Sequence, residues 1–401
     1  MRSISTISKV SPQVKYNNFL YKSITIIKQI KYLIYVQCVL GLSRLYLLQS
    51  KKICLYTSYL YAFFIILSTL YHESSTIGSP YHTFVLIQGV MCFEYILLVI
   101  NALLTKKKKM HNYFKNLSQF DQTLKVSSDN ETLNAKKGSL IWIFIIFIYN
   151  AIEICMILFK IMNSNEVTEY VNMIFYYIIS LVHDMEQIFF FTLLRTIFTR
   201  LKLLRAHVRK TFRVNDAGTS DMKTDKIETL SNNAQLDIGS LHKVYELLHK
   251  CSEQLNSIMS FPMLMMLFTS GFSTTLLLKI LVKIIQVQET MDPKIVTIAV
   301  IYLVVRCVKY TLLVVMPCYY SSITSSQVAT IRTTLHDSLN TMPLDKLERR
   351  RVKAFFLLTK ESEFVYALAG FIRLNMTLPL SYTSLCTTYL VIIIQFSKFL
   401  D

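Results

Sequence analysis

Six positions near the end of the chain, Thr377, Ser381, Ser384, Thr388, Val391 and Gln395, follow one another at spacings of four, three, four, three and four residues. At 100° per residue they share one face of a helix, and Thr377 and Gln395 lie five turns, about 27 Å, apart. Leu378, Leu385 and Ile392 to Ile394 cover much of the remaining surface. A stripe of hydroxyls ending in an amide is costly in lipid, yet beside a shared aqueous axis it offers polar contacts to water and ions. The plainer alternative is that small polar residues join this helix to a neighbour within the same subunit.

A second group of polar residues lies inside other apolar runs: Glu94 with Tyr95, then His183, Asp184 and Glu186, and finally Arg306. Each charge is about 20 Å from one end of its run at 1.5 Å per residue, deep within a hydrocarbon core of about 30 Å. Ionisable groups at that depth face a protein interior or a cavity and take a partner. The sequence predicts that Arg306 pairs with Asp184 or Glu186, flanking a ligand cavity lined by His183 and Tyr95. A buried ion pair that only sets helix register is the competing reading. Enzymatic chemistry is not indicated, because no Ser/His/Asp set, phosphate-binding loop or metal-ligand spacing occurs, and no cofactor is implied.

The elements that must position these residues are apolar helices. Hydrophobic residues make up 53% of the 401 positions and charged residues 17%, too few charges for a soluble chain of this size. Seven blocks reach spanning length, approximately 53–71, 81–104, 139–160, 170–198, 258–286, 295–318 and 374–398. The fold class expected is therefore all-α, a polytopic membrane protein with seven transmembrane helices. Alternating ten-residue segments of a transmembrane barrel are absent. A weaker stretch, 32–48, is interrupted by Gln37 and Arg44 and reads as an interfacial helix or an extra span. The eight cysteines are scattered singly, as small buried apolar residues are.

Net charge is +18, but its distribution argues against nucleic acid as the partner. Most of the 43 lysines and arginines fall in 1–52, 105–138, 199–257 and 319–363, whereas the opposite side holds Lys160, Lys294 and Lys398. That bias places the N-terminus in the cytoplasm and, after seven spans, the C-terminus outside. Short external loops leave no room for a ligand-binding domain, so a ligand must bind between the spans. In 236–255, Leu241, Val244, Leu248, Cys251 and Leu255 recur at helical spacing, and 344–358 carries Leu344, Leu347, Val352, Phe355 and Phe356 beside Arg349 to Arg351. Segment 213–233, rich in Asn, Asp, Ser and Thr, reads as a flexible loop. Asn116 and Asn130 sit in glycosylation sequons within a loop placed inside, so glycosylation of either would contradict this topology.

Residues Thr388 to Phe396 read T-Y-L-V-I-I-I-Q-F, which resembles the TYhhhhhQF signature of the insect gustatory receptors at all four fixed positions. The resemblance implies an inverted seven-span chemoreceptor, a ligand-gated, poorly selective cation channel of the plasma membrane, assembled as a tetramer around its last span. It places Gln395 and Phe396 at the gate near the extracellular mouth, with Val391 and Thr388 deeper. It also implies a cytoplasmic helical anchor, 199–257 and 344–363, where subunits meet; a helical bundle within one subunit remains equally open. Pro379 is expected to break or bend the start of the last span and separate it from a cytoplasmic half-helix. The partners implied are a small-molecule tastant, membrane lipids, permeating cations and homo- or heteromeric subunits. Apolar, aromatic-rich spans suit a hydrophobic, bitter-type plant compound better than a sugar. A secondary transporter would show inverted repeats with broken helices, and none are visible. A G-protein-coupled-type chemosensory receptor, odorant or sugar sensing, would need the opposite topology, and no Asn-Pro occurs for an NPxxY-like motif.

Overall fold

Three helices run far longer than a bilayer requires. In the computed structural model, which describes residues 30–42, 44, 56–57, 60–64, 66–67, 82–104, 107–124, 141, 144–152, 167–212, 237–286 and 293–400, the first described helices are α1 (Lys31–Val39), α2 (His82–Leu104) and α3 (Lys107–Thr123). The three long ones follow: α4 (Val167–Thr211), α5 (Ile238–Gln286) and α6 (Pro293–Thr341). Their 45, 49 and 49 residues correspond to about 70 Å each, roughly twice the hydrocarbon thickness. Each is long and apolar enough to cross a membrane, and each continues past its apolar run into a polar half. Helix α7 (Lys346–Glu361), a two-stranded hairpin and α8 (Thr377–Leu400) complete the chain.

The polar halves pack on one another. Leu241, Val244, Leu248, Cys251 and Leu255 of α5 are all fully buried, against α3, whose Tyr113, Phe114, Leu117 and Phe120 are buried too. Cys251 donates from Sγ to the Tyr113 carbonyl at 3.7 Å, and burial pushes its thiol up to about 12, so it acts as a small apolar filler. On the other flank Tyr245 meets Phe355 of α7 at 5.7 Å and Phe364 at 5.5 Å, both edge-on. The apolar face foreseen in 236–255 is thus spent inside the subunit. Leu347 of α7, by contrast, remains exposed.

Of the stretch 32–48, residues 32–42 and 44 are described. Helix α1 has 9 residues, about 13 Å, too short to span. Yet Leu33, Ile34 and Gln37 are buried as α1 packs on α4. The described parts of blocks 53–71 and 139–160 contain helical residues 60–64 and 144–152; the remainder of those blocks, the loop 213–233 and Asn130 lie outside the described residues.

Asn116 occupies the middle of α3, donating from Nδ2 to Gln254 Oε1 at 3.3 Å, with its sequon partners Leu117 and Ser118 fully buried. A glycosyltransferase needs an accessible loop. Asn116 should therefore stay unmodified on either side of the membrane, and only Asn130 reports topology. Endoglycosidase treatment of an Asn130→Gln variant checks this: any residual mobility shift would mean that α3 unfolds to expose Asn116.

Between α7 and α8 the strands β1 (Ala367–Leu368) and β2 (Ile372–Arg373) pair antiparallel. Their turn puts Ala369 at φ 49° and Gly370 at φ 82°. A left-handed alanine is unfavourable, and α5 holds it there: Ser260 Oγ accepts from the Ala369 N–H at 2.7 Å and Asn256 Oδ1 from the Ala367 N–H at 3.0 Å. Helices α7 and α8 are separate elements, and this hairpin rather than a break at Pro379 divides them. Pro379 sits in the first turn of α8, where its missing N–H costs nothing. Asn375 caps that turn, its Oδ1 accepting from the Leu378 N–H at 3.2 Å and the Thr377 hydroxyl at 2.6 Å.

Candidate functional site

Helix α4 carries a run of buried polar and ionisable side chains: Ser180, His183, Asp184, Glu186 and Gln187 are all at most 3% exposed. Four elements answer it. Asp184 takes Lys309 of α6, Nζ to Oδ2 2.6 Å, and Asn150 Nδ2 reaches the same oxygen at 3.3 Å. Glu94 of α2 lies 2.7 Å from His183 Nδ1. On the other ring nitrogen, Gln187 Nε2 lies at 2.9 Å and Ser270 Oγ of α5 at 3.1 Å. This pattern suits a ring whose Nδ1–H donates to the carboxylate while Nε2 accepts.

Glu186 is closed off separately. Arg44 forks onto both its carboxylate oxygens, Gln37 Nε2 donates to Oε2 at 2.9 Å, and Arg44 also donates to Gln37 Oε1 at 2.9 Å. The guanidinium lies over the Phe189 ring, 4.3 Å from its centroid. A planar, bidentate fork of this kind is what arginine supplies in a desolvated pair. Tyr95 donates to the Leu40 carbonyl at 2.9 Å, so it fastens the end of α1.

The expected partner of Arg306 is corrected. Asp184 belongs to Lys309 and Glu186 to Arg44, while Arg306 donates to the Tyr302 hydroxyl and, at 3.4 Å, to that of Tyr310, one turn either side on α6. Depth explains the choice. Counted from the starts of their apolar runs at 170 and 295, Asp184 and Lys309 are each fourteen residues along, whereas Arg306 is eleven, about 4.5 Å short. Lys309 was legible as an intramembrane charge by this count. Gln37, on α1, and Arg44, beyond its end, looked like mere interruptions of an apolar stretch.

The last helix is polarised in the other sense. Cys386 is buried and Tyr382 half-buried on the face toward α5. A Cβ at Gly271 would meet the Tyr382 ring at 3.0 Å, and Cys386 Sγ reaches the Gly271 carbonyl at 3.9 Å. On the opposite face Thr377, Ser381, Ser384, Thr388, Val391 and Gln395 are all exposed from their own subunit. Thr388 donates to the Ser384 carbonyl at 3.0 Å, which satisfies its hydrogen while leaving lone pairs outward. Phe396 continues the helix; its side chain lies outside the described residues.

A family model described as 7tm chemosensory receptor matches residues 30–399. The chain belongs to the seven-transmembrane chemosensory receptor family. It is a multi-pass membrane receptor, not a member of an enzyme family. The insect olfactory receptor OR5 from Machilis hrabei has the same fold, with TM-score 0.66 and 14% identity over 93% of this chain and 99% of that one. The same receptor in complex with eugenol matches with TM-score 0.60, 14% identity and the same coverage. A sequence comparison with curated proteins returns no match.

In this receptor Glu94, His183 and Asp184 come together with Lys309, Asn150, Gln187 and Ser270, whereas Glu186 forms its own closed group and Arg306 stands between two tyrosines. The stripe of α8 is separate from both.

Proposed function

We propose that this receptor is a gustatory receptor that is itself a ligand-gated, poorly selective cation channel of the plasma membrane, with four subunits surrounding their α8 helices. The observation carrying this reading is the orientation of α8. If its polar stripe served to join helices within one subunit, Ser381, Ser384, Thr388 and Gln395 would be covered; instead they are exposed while Tyr382 and Cys386 contact α5. Left against lipid the stripe is expensive, and copies arranged around a wet axis remove that cost. With the N-terminus inside, Gln395 and Phe396 sit at the outer mouth as the gate, and Val391, Thr388, Ser384, Ser381 and Thr377 line the path inward. Homomeric and heteromeric tetramers satisfy the geometry equally.

The ligand site of this reading is the Glu94–His183–Asp184 cluster with its neighbours Tyr95 and Arg306, and a small plant compound of the bitter type is the tastant. Its binding favours the wider arrangement of α8 over the narrow one. An odorant role is the second reading, favoured by the fold shared with an olfactory receptor; the T-Y-…-Q-F ending favours taste.

The test is whole-cell current in cells expressing the chain alone, with cysteine at Ser384, Thr388 or Val391 and a charged thiol reagent applied outside. We expect a ligand-evoked current that persists under G-protein block and that the reagent reduces severalfold in all three variants but not at Leu385, off the stripe. Reagent sensitivity at Leu385 alone would overturn the stripe as the path, and loss of current under G-protein block would overturn the channel.

A further inference from the structure

The buried cluster around α4 leaves several acceptor oxygens without a donor among the described residues. Gln187 Nε2 and Ser270 Oγ are engaged at His183, Asn150 Nδ2 at Asp184 and the Ile146 carbonyl, and Lys309 at Asp184. Among the described residues, four acceptor oxygens meet no hydrogen-bond donor: Glu94 Oε2, Asp184 Oδ1, Gln187 Oε1 and Asn150 Oδ1. The hydroxyls of Ser180, Thr269 and Ser273 are equally unmet. Every one of these side chains is at least nine-tenths buried. They are also close along the chain. Ser180, Asp184 and Gln187 succeed one another at one-turn spacing on α4, and Thr269 and Ser273 flank Ser270 on α5. Polar atoms at this depth are ordinarily satisfied, and an unmet group calls for a partner beyond those the described residues supply.

We infer that the ligand of this receptor is a neutral small molecule presenting two or more hydroxyl groups to these acceptors; this rests on the cluster being the ligand site. Three features select that class. The unmet carboxylate and amide oxygens call for a ligand that donates, and the open serine and threonine hydroxyls then pair with the same groups because a hydroxyl both donates and accepts. The buried carboxylates Glu94, Asp184 and Glu186 already face His183, Lys309 and Arg44, so an added ammonium or carboxylate would leave an uncompensated charge. A site built to bond a hydroxyl rejects the analogue lacking it strongly, because its own polar groups are then stranded. The expectation of a hydrophobic, bitter-type plant compound, drawn from the apolarity of the spans, is narrowed accordingly.

The test uses the full-length receptor in nanodiscs, with unfolding followed by a dye that reports buried cysteines as they become exposed. Catechol is compared with its dimethyl ether, and methyl glucoside with its tetra-O-methyl derivative; phenethylamine and benzoate serve as charged controls. We expect at least one hydroxyl compound to raise Tm dose-dependently and its ether to need at least tenfold higher concentration. Gln187→Met, or the milder Ser273→Ala should the first misfold, should weaken the hydroxyl compound about tenfold and leave the ether unchanged. Equal effects of ether and parent, stabilisation by a charged control alone, or no stabilisation by either hydroxyl compound at millimolar concentration would overturn the inference. Whether catechol binds as an aromatic or methyl glucoside as a saturated polyol separates the two sources of this chemistry. Currents recorded alongside keep the two readings apart. Binding without current counts against the channel and not the ligand class; current without a hydroxyl requirement does the reverse.

Discussion

Alanine at Gly271 is expected to raise the half-maximal ligand concentration about tenfold and to reduce the maximal current, without lowering the amount of receptor at the surface. The added Cβ would stand 3.0 Å from Tyr382 Cε2 and 3.1 Å from its hydroxyl oxygen, closer than a relaxed contact, so α8 must give by a few tenths of an ångström. Tyr382 has little freedom to swing away, since its hydroxyl points at the Leu267 carbonyl, 3.5 Å distant. In the proposed channel, widening the central path moves α8 back toward α5, and the methyl group occupies that space. Tenfold corresponds to about 1.4 kcal/mol, within the usual range of coupling between sites. Helix propensity pulls the other way, alanine being better than glycine by roughly 1 kcal/mol, so a loss of function here is not a loss of fold. Gly271 follows Ser270, which touches His183, so one turn of α5 meets both the buried cluster and the last helix. Tyr382→Leu in the same chain should restore potency by removing the ring. Unchanged potency in Gly271→Ala would mean that this contact lies off the route from ligand to gate.

Removing Arg44 should be the most destructive single change for stability. Arg44→Met strands Glu186, which is 1% exposed and has its charge met by that guanidinium. Breaking a buried pair from one side costs about 3–5 kcal/mol, much of it the desolvated charge left behind. We expect little receptor at the surface and a lowered Tm. Exchanging both partners for apolar residues is often neutral, so Arg44→Met with Glu186→Leu should recover most of the surface population. The comparison separates a structural pair from a ligand-contacting one. If the double variant reaches the surface with unchanged ligand potency, Glu186 belongs to the scaffold; if it reaches the surface and has lost the response, Glu186 belongs to the site. Surface biotinylation with a thermal melt and a dose–response curve decides.

Much of the architecture was readable without coordinates because helical periodicity is local. Leu241, Val244, Leu248, Cys251 and Leu255 marked a buried face whose burial is complete, and the stripe from Thr377 to Gln395 lies on one side of α8 as its spacing required. The candidate cluster was legible in part. Charged residues in apolar runs announced Glu94, Asp184, Glu186 and Arg306, but their partners did not follow. Asp184 chose Lys309 over Arg306 on a difference of about 4.5 Å in depth. Arg44 was hidden by its setting, a short stretch too broken to resemble a span. The hairpin at 367–373 left no trace either, since two-residue strands have no period to detect.

The division has a physical cause. Along one helix, sequence determines which residues share a face and how deep each lies, because rise and twist per residue are constant. From that came the polar stripe and the depth of the intramembrane charges; composition added the membrane class, and the T-Y-…-Q-F ending its resemblance to taste receptors. How each helix is rotated and offset against its neighbours is set by the meshing of side chains from separate elements. Only the tertiary structure could therefore decide that α8 turns Tyr382 inward and its stripe outward, that Glu186 is closed by a segment more than a hundred residues earlier, and that the acceptors around Asp184 remain open.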